Sequence, residues 1–448
     1  MGFRCGQCGY QSVKWLGRCP NCGEWDTLLP LAKESRDDQE SSSWIGEELL
    51  PISQIDLGKV ERLTTGTGEI DRLLGGGLVP GSVILFGGEP GVGKSTLLLQ
   101  VAQELATRYG NILYISGEES AAQIKLRASR LGVTDDHLYV LSEQRLSLIL
   151  AAVERVSPHV LIVDSIQTTL SSEVPGEAGS IRQMRETSAE LTRLTKARKM
   201  TTFLVGHITK GGAFAGPKTV EHLVDVAIYL EGSRGEDVRI LRSVKNRFGA
   251  TNEIVVFQMQ SSGLRAITDP SRFFLEEHQA ESRVGTVVVP VLEGTRPILV
   301  ELQALVSPTG GYGTPQRRCT GLDYNRVLLL LAVIERQLGV HTGGADVYLS
   351  IAGGLETRER ALDLGVVAAV ISSLRNRPLP KRTVVIGEVG LSGEVRGVKK
   401  LRERITEAGK LGYEQVIIPA KGKPSSRTKV EIVPVATINE AMDALALG

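Results

Sequence analysis

Aromatic side chains are scarce in this sequence: Phe, Tyr and Trp make up 4% of its 448 residues. Sequence-tolerant base stacking along an extended surface therefore cannot be its main binding device. Charge of one sign is lacking too. The formal net charge is +1, so no global basic field singles out nucleic acid or an anionic membrane, and any binding surface must be local. No run of 18 apolar residues occurs, so no membrane partner is expected. The opening decapeptide MGFRCGQCGY has no apolar core of the signal-peptide kind, and a cytoplasmic protein is the expectation.

Cysteine is also rare, but it is concentrated. Four of the five cysteines fall in the first 22 residues, as Cys5-x2-Cys8 and Cys19-x2-Cys22. Each pair is followed by a glycine, Gly9 or Gly23, which lets the backbone turn so that both sulfurs face one ion. Four thiolates suit tetrahedral zinc. A segment of ~30 residues has too little core to fold without such a staple. Residues 1–30 are thus expected to form a Zn²⁺ module. The next stretch, AKESRDDQESSSWIGEE, carries six acids against two bases and a serine run. It reads as an acidic flexible linker, 31–58.

From about residue 59 to 270 the pattern is strand, loop, helix, repeated. Val83–Phe86 is a short apolar run, a buried parallel strand. Gly88, Glu89, Pro90, Gly91, Val92, Gly93, Lys94, Ser95 and Thr96 follow at once, before a helical stretch to Tyr109. This is the context a P-loop requires: glycines let N–H groups converge on phosphates, and the helix N-terminus adds partial positive charge. Lys94 is expected to reach the β- and γ-phosphates of ATP, and the Ser95 hydroxyl to ligate Mg²⁺.

A second strand, 111–116, ends in Gly117-Glu118-Glu119-Ser120. A carboxylate beside the P-loop strand can polarise an attacking water; Glu118 is the favoured base, with Glu119 close behind. The run HVLIVDS places Asp164 at a strand end, where it belongs in the outer coordination of Mg²⁺. A fourth strand, 202–206, ends at His207, placed to sense the γ-phosphate. The glycine-rich loop 209–218 holds Lys210 and Lys218; another, 171–179, leads into a helix that begins with Arg182 and Arg185. Partly basic loops on the nucleotide edge of the sheet suit a phosphodiester backbone.

Two further motifs give a resemblance. The lead-in Asp71-Arg72-Leu73-Leu74-Gly75-Gly76-Gly77-Leu78 resembles that of the RecA-like ATPases: recombinases, clock ATPases and DnaB-type ring helicases. Lys245-Asn246-Arg247-Phe248-Gly249, together with the four-cysteine module, resembles one bacterial branch of them, the RadA (Sms) family. The resemblance implies an ATP-driven branch-migration and unwinding motor that acts with the RecA recombinase on single-stranded and branched DNA, as a homo-oligomer in the form of a hexameric ring. It also implies that Lys245 and Arg247 complete a neighbouring protomer's site.

Residues 271–448 resemble an α/β Lon-protease-like domain of the S5 domain 2 type, through GEVGLSGEV and VIIPA. No serine lies between Ser350 and Ser372, and spacing puts Arg402 where the dyad lysine belongs. Arginine stays protonated and cannot act as base. The expectation is an α/β chain with the peptidase chemistry lost; a Lon-type peptidase and a clock-type switch that binds protein partners are the rival readings.

Overall fold

The computed structural model describes residues 3–30, 51, 53, 61–207, 219–232, 237–251, 253–275, 283–309, 314–422 and 430–448. Lys210 and Lys218, and nearly all of the acidic linker, lie outside the described residues. The chain divides into two units, Met1–Val60 and Glu61–Gly448.

In the first unit, strands Phe3–Cys5, Gln11–Ser12 and Leu28–Pro30 form a three-stranded antiparallel sheet. Its buried core is only Cys5, Cys19 and Leu28, with Phe3 against it.

In the second unit, the apolar runs seen in the sequence become the strands of one sheet: β1 (Val83–Gly88), β2 (Ile112–Ser116), β3 (Leu138–Ser142), β4 (Val160–Asp164), β5 (Thr201–His207), β6 (Val226–Glu231), β7 (Val238–Asn246), β8 (Ile254–Gln260) and β9 (Gly263–Ile267). The order is β9-β8-β7-β6-β1-β5-β4-β2-β3. The six strands from β6 to β3 are parallel, and β7 to β9 continue antiparallel. β1, β2 and β4 are buried at every position, as strands covered on both faces must be. The sequence expectation put β2 beside the P-loop strand. It is not there: β5 and β4 intervene, because the chain steps outward from β1 to β2 and β3 and only then returns to lay β4 and β5 in the gap.

A second, seven-stranded mixed sheet holds β10 (Thr286–Glu293), β11 (Arg296–Pro308), β12 (Arg317–Thr320), β13 (Ala345–Ile351), β14 (Thr383–Val385), β15 (Gln415–Pro419) and β16 (Glu431–Val435), in the order β12-β13-β11-β10-β14-β15-β16. Helices Tyr324–Leu338, Asp363–Arg375, Leu401–Lys410 and Ile438–Ala444 accompany it. The sequence suggested Gln415–Pro419 as the final strand. Glu431–Val435 follows it in parallel register, with only Ile432, Val433 and Val435 to mark it.

The two sheets share a core. Ile254 and Val256 of β8 pack with Val287, Val289 and Leu302 of the second sheet. Arg242 of β7 crosses the same boundary, at 2.9 Å from Glu293 and 3.4 Å from Glu231.

Candidate active site

β1 ends in Gly88, and the chain turns before Lys94 opens a helix that runs to Tyr109. Gly91 and Gly93 have φ of +80° and +113°, a region that favours glycine. A Cβ at Gly88 would stand 2.5 Å from the Leu230 carbonyl oxygen. The first-turn N–H groups of this helix border the same hollow, which makes it an anion seat.

Lys94 is 4% exposed. Its ammonium donates to Gly88 O (2.8 Å), Glu89 O (3.0 Å) and His207 Nδ1 (3.0 Å). An ammonium has three donors and no acceptor, so all three are used and Nδ1 must be the accepting ring nitrogen. His207 then carries its proton on Nε2, which donates to Glu118 Oε1 at 3.1 Å. The same oxygen accepts from Ser165 Oγ at 2.7 Å. Alongside, Asp164 Oδ2 accepts from Ser95 Oγ (2.6 Å) and from Tyr114 OH (2.5 Å). Burial and the Asp164 carboxylate push the Tyr114 phenol well above its usual range, so it remains a donor. The Ser95 hydroxyl and Asp164 carboxylate supply the hard oxygen donors that Mg²⁺ takes.

The structure therefore brings together Lys94, Ser95, Glu118, Asp164 and His207. It turns Glu119 elsewhere: that carboxylate pairs with Arg127 of the helix Ala121–Arg130. Glu118 reaches the cluster despite the strand order, because β2, β4 and β5 end at one level and Ser165 and His207 project toward it. Three contributors escaped the sequence reading. Tyr114 sits inside an apolar run with nothing to distinguish it. Gln183, fully buried, fixes the loop after β4 through Ser171 O (3.0 Å), Val174 O (2.5 Å) and Gly176 O (3.3 Å). Arg239, on β7, reaches the P-loop itself.

Burial lowers the Lys94 ammonium to about 8, with Asp164 and Glu118 pulling it back up. Below that pH it is cationic. Above it the free protein loses the charge that meets phosphate, and ATP affinity is expected to fall about tenfold per pH unit. The turnover number at saturating ATP is expected to hold, since bound phosphate restores the charged form. A pH series of nucleotide dissociation constants reads this.

Lys245 and Arg247 lie elsewhere. Lys245 pairs with Ala227, which pairs with Leu85, three residues before Gly88. That places it about 10 Å below the P-loop along the strands and two strands, about 10 Å, across. A register shift between Ser243 and Lys245 re-aims the strand end. Lys245 is thus within the strand rather than on the turn the sequence suggested. Its Nζ donates to Glu221 O at 2.8 Å, and Arg247 pairs with Asp225 at 3.0 Å. The glycine lead-in packs on this motif: a Cβ at Gly75 would stand 2.8 Å from Phe248 O and 2.9 Å from Gly249 Cα. Asn246 donates to Leu73 O at 3.2 Å. Arg182 and Arg185 are exposed in the first turn of the helix Ile181–Arg198, on the nucleotide side of the sheet. Neither has a carboxylate partner among the described residues.

In the small unit, the four cysteine sulfurs lie within 4.8 Å of one another. Cys5 and Cys22 are 3.7 Å apart, Cys8 and Cys19 3.5 Å. A tetrahedron of ~2.3 Å zinc–sulfur bonds has edges of about 3.8 Å, so the set fits zinc and is far from disulfide length. Gly9 and Gly23 both have φ of +76°, as the paired turns require. With so small a core, chelation or Cys8→Ser is expected to unfold this unit and leave the ATPase melting transition in place. Fluorescence of Trp15 and Trp25, read against zinc content, checks it.

In the C-terminal sheet, Arg402 is exposed, while Arg404 two residues on is fully buried. Arg404 pairs with Glu359 and donates to Pro290 O and, at 3.0 Å, to Lys399 O. The inward cation of this helix is a saturated guanidinium, with no capacity to serve as base.

A parallel sheet with a P-loop, a carboxylate at the end of β4 and an antiparallel extension define a RecA-like P-loop ATPase. Residues 53–213 match a family described as AAA domain, residues 3–30 a rubredoxin metal binding domain, and residues 340–422 subunit ChlI of Mg-chelatase. The DNA repair protein RadA of Halalkalibacterium halodurans is 46% identical over 448 residues, covering 98% of this chain and 97% of its own. Those of Listeria monocytogenes and Bacillus subtilis are 46% and 45% identical with the same coverage. The chain belongs to the family of the bacterial DNA repair protein RadA. It is an ATP-hydrolysing protein of DNA repair with a zinc-binding module. Among the described residues no helix is long and apolar enough to cross a membrane.

Proposed function

We propose that this chain is an ATP-driven DNA motor of homologous recombination: a branch-migration and DnaB-type helicase engine that works as a hexameric ring, with the RecA recombinase, on single-stranded and branched DNA. One observation carries the reading. The cations Lys245 and Arg247 sit at the end of the sheet opposite their own P-loop, where they cannot touch their own nucleotide. A second protomer can bring them to a nucleotide that their own P-loop does not hold.

The roles follow from the site. ATP phosphates displace Gly88 O and Glu89 O from Lys94 and seat on the backbone N–H groups of the loop from Gly91 to Thr96. Mg²⁺, when bound, neutralises phosphate charge, and Ser95 and Asp164 are the residues that would hold it. Lys94 moving to phosphate leaves His207 Nδ1 without its donor, so His207 senses the γ-phosphate and passes its state to Glu118. Glu118, with an oxygen aimed at this hollow, orients the attacking water. Arg182 and Arg185, with Lys210 and Lys218, grip the DNA backbone. A peptidase reading would need a lysine base where Arg404 is saturated and Arg402 is exposed.

The test is ATP turnover with and without single-stranded DNA, alongside DNA binding titrated with salt. A motor gives DNA-stimulated turnover and a steep salt slope. A clock-type switch gives neither.

A further inference from the structure

We infer that Arg239 is a positioning residue of the phosphate seat: it holds the Val92 carbonyl so that the following N–H, that of Gly93, faces the β-phosphate. The inference rests on the ATPase reading above and extends it to a strand outside the nucleotide-binding motifs.

Arg239 comes from β7, two strands across from the P-loop strand, and is 7% exposed. A guanidinium is rarely buried unless it is used. Here Nε donates to Val92 O at 3.1 Å and Nη1 to Val238 O at 2.8 Å. Val92 is itself 4% exposed and belongs to the core beneath the loop. In a planar trans peptide the carbonyl and the next N–H point in opposite directions. Fixing Val92 O toward β7 therefore fixes Gly93 N–H away from it, toward the hollow that Lys94 closes. Gly93, at φ +113°, has the freedom to be mis-set, and the nearest atoms to a Cβ there are side-chain methyls of Met259 and Leu264 at 3.0 and 3.2 Å, which impose no polar orientation. Val92 N–H donates to Glu89 O at 3.3 Å and Gly93 O accepts from Leu97 N–H at 3.0 Å; the guanidinium is the side-chain donor on the carbonyl between them.

Gly232 serves the same device. A Cβ there would stand 2.4 Å from Arg239 Cδ and 3.0 Å from Val238 O, so a side chain at 232 would push the arginine off its path. Strand β7 thus carries the P-loop brace at one end and Lys245 at the other.

The experiment measures binding of ATP, ADP and inorganic pyrophosphate to the full chain, wild type against Arg239→Ala, Arg239→Lys and Gly232→Ala. A charge-assisted bond that orients a phosphate donor predicts affinities for all three ligands falling together by roughly tenfold or more in Arg239→Ala, and in Gly232→Ala. Arg239→Lys is expected to recover part of the loss, since one donor suffices. The KM for ATP rises with little change in the turnover number. If Arg239→Ala fails to fold, Gly232→Ala and Arg239→Lys still read the effect. Pyrophosphate affinity that stays at the wild-type level in the folded variants overturns the inference, as does a loss confined to the turnover number. Failure of the wild type to bind ATP would instead sink the ATPase reading.

Discussion

Lys94→Ala abolishes ATP turnover, with the rate falling roughly a hundredfold to a thousandfold. The size of the effect follows from what the ammonium holds. It ties two P-loop carbonyls and His207 together in a pocket that is almost closed to water. Its burial lowers the cost of giving up those bonds for phosphate oxygens, because a desolvated cation gains most from an anion. Removing it takes away the charge that meets the phosphates in the bound state and in the transition state. Both nucleotide affinity and turnover therefore drop. Steady-state ATPase with a parallel nucleotide-binding titration measures this. A variant that turns ATP over at the wild-type rate would remove the P-loop from the chemistry.

Lys245→Ala gives the second large effect, and a different one. Nucleotide binding by each chain is retained, since Lys245 is three residues below Gly88 in register and bonded to Glu221 O. Turnover in assembled protein falls roughly a hundredfold or more, the scale of removing a donor from a developing charge. Mixed with Lys94→Ala protein, the variant is expected to regain turnover, because its intact phosphate seat can meet the Lys245 of a Lys94→Ala neighbour. A mixture that recovers no turnover would make Lys245 a strand-end residue with a local role. Arg247, half-exposed and paired with Asp225 at the surface, is expected to be the more readily released of the two cations.

Much of this was legible in the sequence where chemistry and spacing coincide. The P-loop could be read because its glycines follow an apolar run and precede a helical one. Asp164 could be read because four apolar residues lead into it. The cysteine pairs declared their geometry through the glycines that follow. Strand order could not be read, since period and composition say where strands are and not who their neighbours are. The expected adjacency of β1 and β2 failed for that reason, yet Glu118 arrives at the cluster because three strand ends converge. Glu118 and Glu119 are chemically equal in the sequence; only Arg127, nearly two turns into the next helix, separates them. Arg239 is hidden most completely. It stands in the strand VRILRSVKN, where an arginine reads as solvent-facing, and only the antiparallel extension of the sheet turns it onto Val92. The packing of the Gly75 lead-in on Gly249 is of the same kind: two motifs each noticed alone, with their contact visible only in three dimensions.

The central claim is that ATP is cleaved at a boundary between subunits to drive DNA. Electron microscopy of the purified protein with a non-hydrolysable ATP analogue and single-stranded DNA tests it most directly. The account predicts closed rings with nucleotide at each boundary, Lys245 of one subunit against the phosphates held by Lys94 of the next, and DNA in the central passage beside Arg182 and Arg185. Particles that stay monomeric with both ligands present, or rings whose nucleotide is enclosed by a single subunit, would contradict it.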